Sequence, residues 1–213
     1  MIELAFSILD VRAEAYAALP TLMLRLRIEE KSGSPLHAIM LRGQLRIEPR
    51  RRPYSPDEQE ALLGLFGEPA RWGDTMRSFL WTNIELNVPG FTRATEIDIP
   101  VKCTYDLEVI AARYFRSLEG GEVPLRFLFS GTVFAEAENG YSVQQVPWDK
   151  EATYALPVRV WRELMDAYYP DCGWIRLGHD TLDALERFRT RRALLSWDAT
   201  MNELLECAKE PVP

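Results

Sequence analysis

Apolar and polar residues alternate along several stretches of the chain, and a period of two marks strands that bury one face. Ile2, Leu4, Phe6 and Ile8 stand against Glu3, Ala5 and Ser7, with Ala13, Ala15 and Ala17 continuing the pattern weakly. After Pro20, Leu22, Leu24, Leu26 and Ile28 oppose Met23, Arg25, Arg27 and Glu29, and Lys31-Ser32-Gly33-Ser34-Pro35 has the composition of a turn. Ile39, Leu41, Gly43, Leu45 and Ile47 then oppose Met40, Arg42, Gln44, Arg46 and Glu48. The two runs are therefore expected to pair as a hairpin, one face on a core and one in water. Phe79 to Val88 reads as a further strand, ended by Pro89-Gly90. In the run Ile97, Ile99, Val101, Cys103 and Tyr105, the outward Pro100 points to an edge strand, where a missing backbone donor faces solvent.

The second half is organised around the stretch from Val123 to Trp174. Leu125, Phe127 and Phe129 alternate with Arg126, Leu128 and Ser130, and Gly131 ahead of Val133 and Phe134 suits a bulge or a close backbone approach. Glu138-Asn139-Gly140 supplies a tight turn, so Tyr141 to Val146 returns as the second strand of a hairpin. Pro147 and Trp148 end that ladder. A structural corner is the first reading of Trp148-Asp149-Lys150-Glu151, with Trp148 seating the next helix on the sheet, and a binding contact is the second.

Other segments switch to a helical period. Ser55-Pro56-Asp57-Glu58 has the layout of a capping box ahead of Leu62, Leu63, Leu65 and Phe66, with Gly67 to close the helix. Leu107, Ile110, Ala111, Tyr114 and Leu118 form a second stripe. Pro157 sits in the first turn of a third, where Val158, Trp161, Leu164, Met165 and Tyr168 share a face and Trp161 is expected to be a main packing residue. Past Pro170, Asp180 is expected to cap a helix carrying Leu182, Leu185 and Phe188. Its acids come early and Arg187, Arg189, Arg191 and Arg192 late, as the helix dipole favours. Leu194, Trp197, Met201, Leu204 and Leu205 keep an apolar side beyond it, either after a break near Ser196 or in one continuous helix.

These patterns predict an α+β protein. Residues 1–150 form a mainly antiparallel sheet or sandwich with two inserted helices, and residues 151–213 a helical C-terminal portion packed on it. At 213 residues and 47% hydrophobic content the chain can bury a core without staples. Cys103, Cys172 and Cys207 are odd in number and widely spaced, which argues against a disulfide framework and for reduced thiols in a cytoplasm. The opening Met1-Ile2-Glu3-Leu4 lacks a basic n-region, and no uncharged apolar run approaches the roughly 20 residues that span a bilayer, so membrane insertion is not expected. A formal charge of −7 argues against generic nucleic-acid affinity.

Motifs with built-in chemistry are missing: there is no nucleophile elbow, phosphate loop or dinucleotide fingerprint, and no cofactor is expected. The Arg50-Arg51-Arg52 run is the clearest charge anomaly, and reads either as a solvated loop or as a docking site for an acidic partner or phosphate. Trp148 and Trp174 are the aromatic candidates for partner contact. An alternative chemistry would use Cys172 and His179 with Asp180 and Asp183 as a metal or nucleophile site, if two helices bring them together.

Phe127-Leu128-Phe129-Ser130-Gly131, Pro147-Trp148-Asp149-Lys150-Glu151, Trp161-Arg162, Met165-Asp166, Gly173-Trp174 and Asp180-Thr181-Leu182-Asp183-Ala184-Leu185 resemble motifs of an uncharacterised bacterial family associated with nickel-iron hydrogenase gene clusters. That resemblance implies a hydrogenase subunit or maturation factor as partner. In layout, Phe6-Ser7-Ile8-Leu9, the Leu22–Ile47 segment and the helix, glycine pair and strand from Leu107 to Phe129 are similar to the export chaperone SecB. The expected function is an accessory binding or assembly protein without catalysis, a chaperone or scaffold. The alternatives are the metal-binding protein or enzyme built on Cys172 and His179, and a structural subunit of a homo-oligomer.

Overall fold

The structure, a computed structural model, describes residues 2–103, 109–137, 140–170, 175 and 177–209. The chain divides into two compact units, Met1–Asp171 and Cys172–Pro213. Residues 151–171, expected with the helical C-terminal portion, thus belong to the first unit. The first unit holds strands β1 (Leu4–Ala13), β2 (Thr21–Glu30), β3 (Leu36–Ile47), β4 (Phe79–Phe91), β5 (Ala94–Lys102), β6 (Glu122–Ala137), β7 (Gly140–Gln145) and β8 (Glu151–Pro157). It also holds helices α1 (Pro56–Phe66), α2 (Trp72–Thr75), α3 (Val109–Arg116) and α4 (Val158–Tyr168).

The protein is α+β, with two antiparallel sheets. One is ordered β1-β2-β5; the other is ordered β4-β3-β6-β7, and β8 also pairs with β6. Each sheet has one apolar face, and burying the two faces against each other removes both from water. Phe6 of β1 stacks on Phe129 of β6 with ring centroids 4.4 Å apart, which fixes the sheets face to face. Leu22, Leu24, Leu26 and Ile28 from one sheet and Ile39, Leu41, Leu45, Ile47 and Phe127 from the other are all buried in the same core.

The expected hairpin between β2 and β3 does not form. β2 pairs with β1 and β5, whereas β3 pairs with β4 and β6. Both are central strands, and each satisfies its backbone groups with two neighbours in its own sheet. Glu30 steers the crossing: its buried carboxylate accepts from the backbone N–H groups of Glu3, Ser32 and Ser34 and from the Ser32 hydroxyl, turning Lys31–Pro35 toward the second sheet. The chain crosses again between β4 and β5, where Arg93 takes a positive φ of 69° and its carbonyl receives the Glu30 N–H.

β6 is 16 residues long and serves two partners in turn. Leu128 and the residues before it pair with β8, and Thr132 to Ala137 pair with β7. Gly131 marks the exchange, with a φ of 145° and a backbone so close to β3 that an added Cβ would stand 2.2 Å from the Met40 carbonyl oxygen. The close approach expected at this glycine is thus real. The β6–β7 hairpin is also present, with Ala137 opposite Gly140, while the Glu138-Asn139 turn lies outside the described residues. Strand β5 runs along one edge with Pro100 in it, as expected. β8 was not anticipated, because its weak alternation of Ala152, Tyr154 and Leu156 lacks a strong apolar face. Pro157 is the N-cap of α4, one residue ahead of the helix.

Helices close one end of the sandwich. The expected capping box opens α1, with Glu58 N–H donating to Ser55 Oγ at 3.2 Å and Ser55 N–H donating to Glu58 Oε2 at 3.1 Å. Phe66, Trp72, Phe79, Tyr114, Phe115 and Trp161 then make a chain of edge-on, tilted and stacked ring contacts from α1 through α3 to α4. Trp161 is buried and lies parallel to Phe115 at 5.0 Å, the packing role expected of it.

The second unit contains α5 (His179–Arg191) and α6 (Trp197–Lys209), so the helical segment breaks at Ser196, whose hydroxyl accepts the Ala199 N–H. Arg192 pairs with Glu203 across the two helices, and the Arg189 guanidinium lies 4.7 Å from the Trp197 ring centre. Asp180 does not cap α5; the cap is Gly178, with no side-chain hydrogen bond, and Asp180 lies in the first turn. No helix among the described residues is long and apolar enough to cross a membrane.

Candidate functional site

The arginine run separates into two kinds of residue. Arg50 and Arg51 are exposed on a short 3-10 turn, Pro49–Arg51, and fit the solvated or docking role. Arg52 does not: its side chain is 9% exposed, Nη2 donates to both Glu58 carboxylate oxygens at 2.8 and 3.1 Å and to the Gly120 carbonyl at 3.2 Å, and the guanidinium lies 5.0 Å from the Tyr54 ring centre. The reading of the whole run as a solvated loop or docking site is corrected for Arg52. Its neighbour Glu58 begins as a capping residue and is then buried by the segment between α3 and β6, whose Glu119 N–H it accepts at 2.9 Å.

Beside this pair, Tyr54 donates to the Pro49 carbonyl at 2.7 Å and accepts from Tyr114 at 2.7 Å. Burial pushes Tyr114 up to about 12 and raises Tyr54 further, with the Tyr114 neighbour adding to the burial, so both phenols stay neutral. Such a cluster fastens one end of the sandwich. A nearby open depression is bordered by Glu119, Glu122, Arg159 and Arg162, and Arg162 is already committed to the Leu118 and Glu119 carbonyls. Two carboxylates and two guanidiniums give the depression no preference for either sign of charge.

Trp148 is placed quite differently. The Val146 N–H donates to Gly131 O at 2.9 Å and the Phe129 N–H donates to Lys150 O at 2.8 Å, so β7 and β8 are anchored two residues apart on β6. The three residues between the anchors, Pro147 to Asp149, must leave the sheet, and they do so in a tight turn closed by the Lys150 N–H on Pro147 O at 3.2 Å. The corner predicted from the sequence is therefore there, but Trp148 seats no helix: it stands at the tip of the turn, 93% exposed. Solvent around an indole is unfavourable by its apolar area, and such residues are enriched where partners bind.

The sheet next to this turn carries apolar residues on its outer face. Ala38 of β3, Phe134 of β6 and Val143 of β7 are cross-strand neighbours in one row, and Met40 sits exposed beside it. His37 packs against the Tyr141 ring at 4.3 Å. Sequence reasoning passed over this face, although the lack of charge in Gly140–Gln145 was a visible signal.

Trp174 and Cys172 lie outside the described residues. His179 and Asp180 open α5 and Asp183 follows one turn on, all exposed. Among the described residues no group of three His, Cys, Asp or Glu side chains is arranged to hold a metal ion. Cys103 is buried, with its Sγ 3.7 Å from the Val101 carbonyl oxygen, and Cys207 is exposed.

The whole sequence, residues 1–213, matches the family described as "Family of unknown function (DUF6084)", and the chain belongs to that family. No curated protein matches it. Among solved structures, a beta-glucosidase from Kluyveromyces marxianus aligns over 72% of this chain and 15% of its own, at 10% identity and a TM-score of 0.28. Beta-glucosidase 3B from Thermotoga neapolitana in complex with alpha-D-glucose aligns over 72% of this chain and 17% of its own, at 17% identity and a TM-score of 0.25. The chain thus spans less than a fifth of either enzyme, and likeness at this level assigns neither fold nor activity.

Proposed function

We propose that this member of a family of unknown function is a cytoplasmic accessory protein that works by binding a protein partner, with the Trp148 turn as a principal contact. The observation that carries this reading is the 93% exposure of an indole at the tip of a turn held by three backbone hydrogen bonds. A rigid turn presents the ring with little loss of conformational freedom on binding, which favours affinity. Arg50 and Arg51 add an exposed basic pair for acidic groups on a partner. The resemblance to a family associated with nickel-iron hydrogenase gene clusters makes a hydrogenase subunit or maturation factor the first partner to test.

A photo-crosslinking residue placed at Trp148, with a second at exposed Glu85 on β4 as control, tests this in the native host. A defined protein should couple at position 148 and not at 85, and Trp148→Ala should abolish its co-purification without lowering the melting temperature. Identical products at both positions, or co-purification unchanged by Trp148→Ala, would refute the assignment.

A further inference from the structure

An edge strand exposes unpaired N–H and C=O groups, and proteins protect such edges with charge, proline, bulges or cover. The edges of both sheets can be compared on that basis. β1 carries Asp10, Arg12 and a register shift between Ile8 and Asp10. β5 carries Glu96, Asp98, Pro100 and Lys102. β4 carries Glu85, Pro89 and an irregularity where it meets Leu45 and Arg46. β8 is packed by β1. β7 has none of these devices: Gly-Tyr-Ser-Val-Gln-Gln is free of charge and proline, its register against β6 is unbroken, and among the described residues it pairs with β6 alone.

We infer that the free edge of β7 pairs with β7 of a second copy of this chain, antiparallel about a two-fold axis at Val143. The strand is self-complementary in that register. Val143 faces its own copy, Tyr141 faces Gln145, and on the inner side Ser142 faces Gln144, so apolar meets apolar and polar side chains meet hydrogen-bonding ones. The pairing also carries the row Ala38, Phe134, Val143 across the axis into Val143, Phe134, Ala38 of the copy, covering a valine that is 60% exposed in the single chain. A second copy satisfies these conditions without any further sequence. The strip is about 20 Å long at ~3.4 Å per residue, and a stable interface buries roughly 800 Å² per partner. A strip of this length belongs to a reversible dimer.

Sedimentation velocity over a wide concentration range, in physiological salt, tests the inference on the full chain. The wild type should move from monomer toward dimer as concentration rises. Val143→Lys, which sets two ammonium groups face to face, should weaken the dimer by at least tenfold while its thermal melt stays unchanged. Val143→Cys in a Cys172→Ser, Cys207→Ser background should form a covalent dimer on mild oxidation, because directly opposed residues on antiparallel strands fall within disulfide reach. Gln44→Cys, elsewhere on the same sheet, should not. A wild type that stays monomeric throughout, a dimer indifferent to Val143→Lys, or crosslinking equal at both cysteines would overturn the inference. Trp148→Ala should leave this dimer intact, which separates its failure from failure of the partner contact proposed above.

Discussion

Replacing Trp161 by Ala and by Phe tests how α4 is held on the sandwich. Trp161 is 2% exposed and stacks on Phe115, itself fully buried, with an interplanar angle of 12°. A buried Trp hides about 200 Å² of surface, worth about 5 kcal/mol at ~25 cal/mol per Å². The compactness of the unfolded chain and the methyl retained by alanine reduce that figure, and the cavity left behind raises it again, so Trp161→Ala should cost about 3–5 kcal/mol. With a urea slope of about 2 kcal/mol per M, the midpoint should fall by about 1.5–2.5 M. Far-UV circular dichroism is the suitable probe, since the substitution removes a fluorophore. The indole Nε1 is buried with no hydrogen-bond partner among the described residues, so Trp161→Phe keeps a stacked ring and removes an unmatched donor. Its cost should stay within about 1.5 kcal/mol. A Phe variant as damaged as the Ala variant would show that the indole N–H is bonded, and an Ala variant near wild type would show that α4 is not fastened through this ring.

Two further perturbations address the buried charges. Arg52→Ala strands Glu58 without its guanidinium and should cost about 3–5 kcal/mol in the same urea melts, whereas Arg50→Ala and Arg51→Ala should stay within about 0.5 kcal/mol; three equal and small effects would place Arg52 in solvent with its neighbours. Burial pushes the Glu30 carboxyl up, but the Ser32 hydroxyl and the backbone N–H groups around it win and hold it below its usual range. A folded pKa below the unfolded one means that Glu30 stabilises the fold at neutral pH and loses that contribution as pH falls through the ordinary carboxylate range toward the folded value. Glu30→Gln should therefore be less stable near pH 7, with the gap to wild type closing on acidification; a gap constant with pH would mean that the carboxylate charge is not what holds the crossing between the sheets.

Much of this molecule can be read locally. Alternation at Leu22–Ile28 and Ile39–Ile47 names the buried side of each strand correctly, because successive side chains on a strand must point to opposite faces. The Ser55–Glu58 capping box and the Trp161 stripe follow in the same way from spacings within one or two turns of helix. The candidate contact residues were less legible. Trp148 was visible as a turn residue, but its exposure depends on two anchors that sit on β6, in a different part of the chain.

What the sequence alone determined is the α+β class, the identity of most elements and the face each one buries. Tertiary structure alone decided which distant strands pair, since β2 and β3 have interchangeable patterns, and β5 joins the one and β4 and β6 the other from dozens of residues away. It decided that Arg52 is a clasp while Arg50 and Arg51 are surface, because burial comes from Glu58 and Gly120 arriving from other segments. It also left β7 on an open edge. Side-chain periodicity is set by the backbone of a few neighbouring residues, whereas pairing, burial of charge and exposure of an edge depend on which distant segments come to lie alongside.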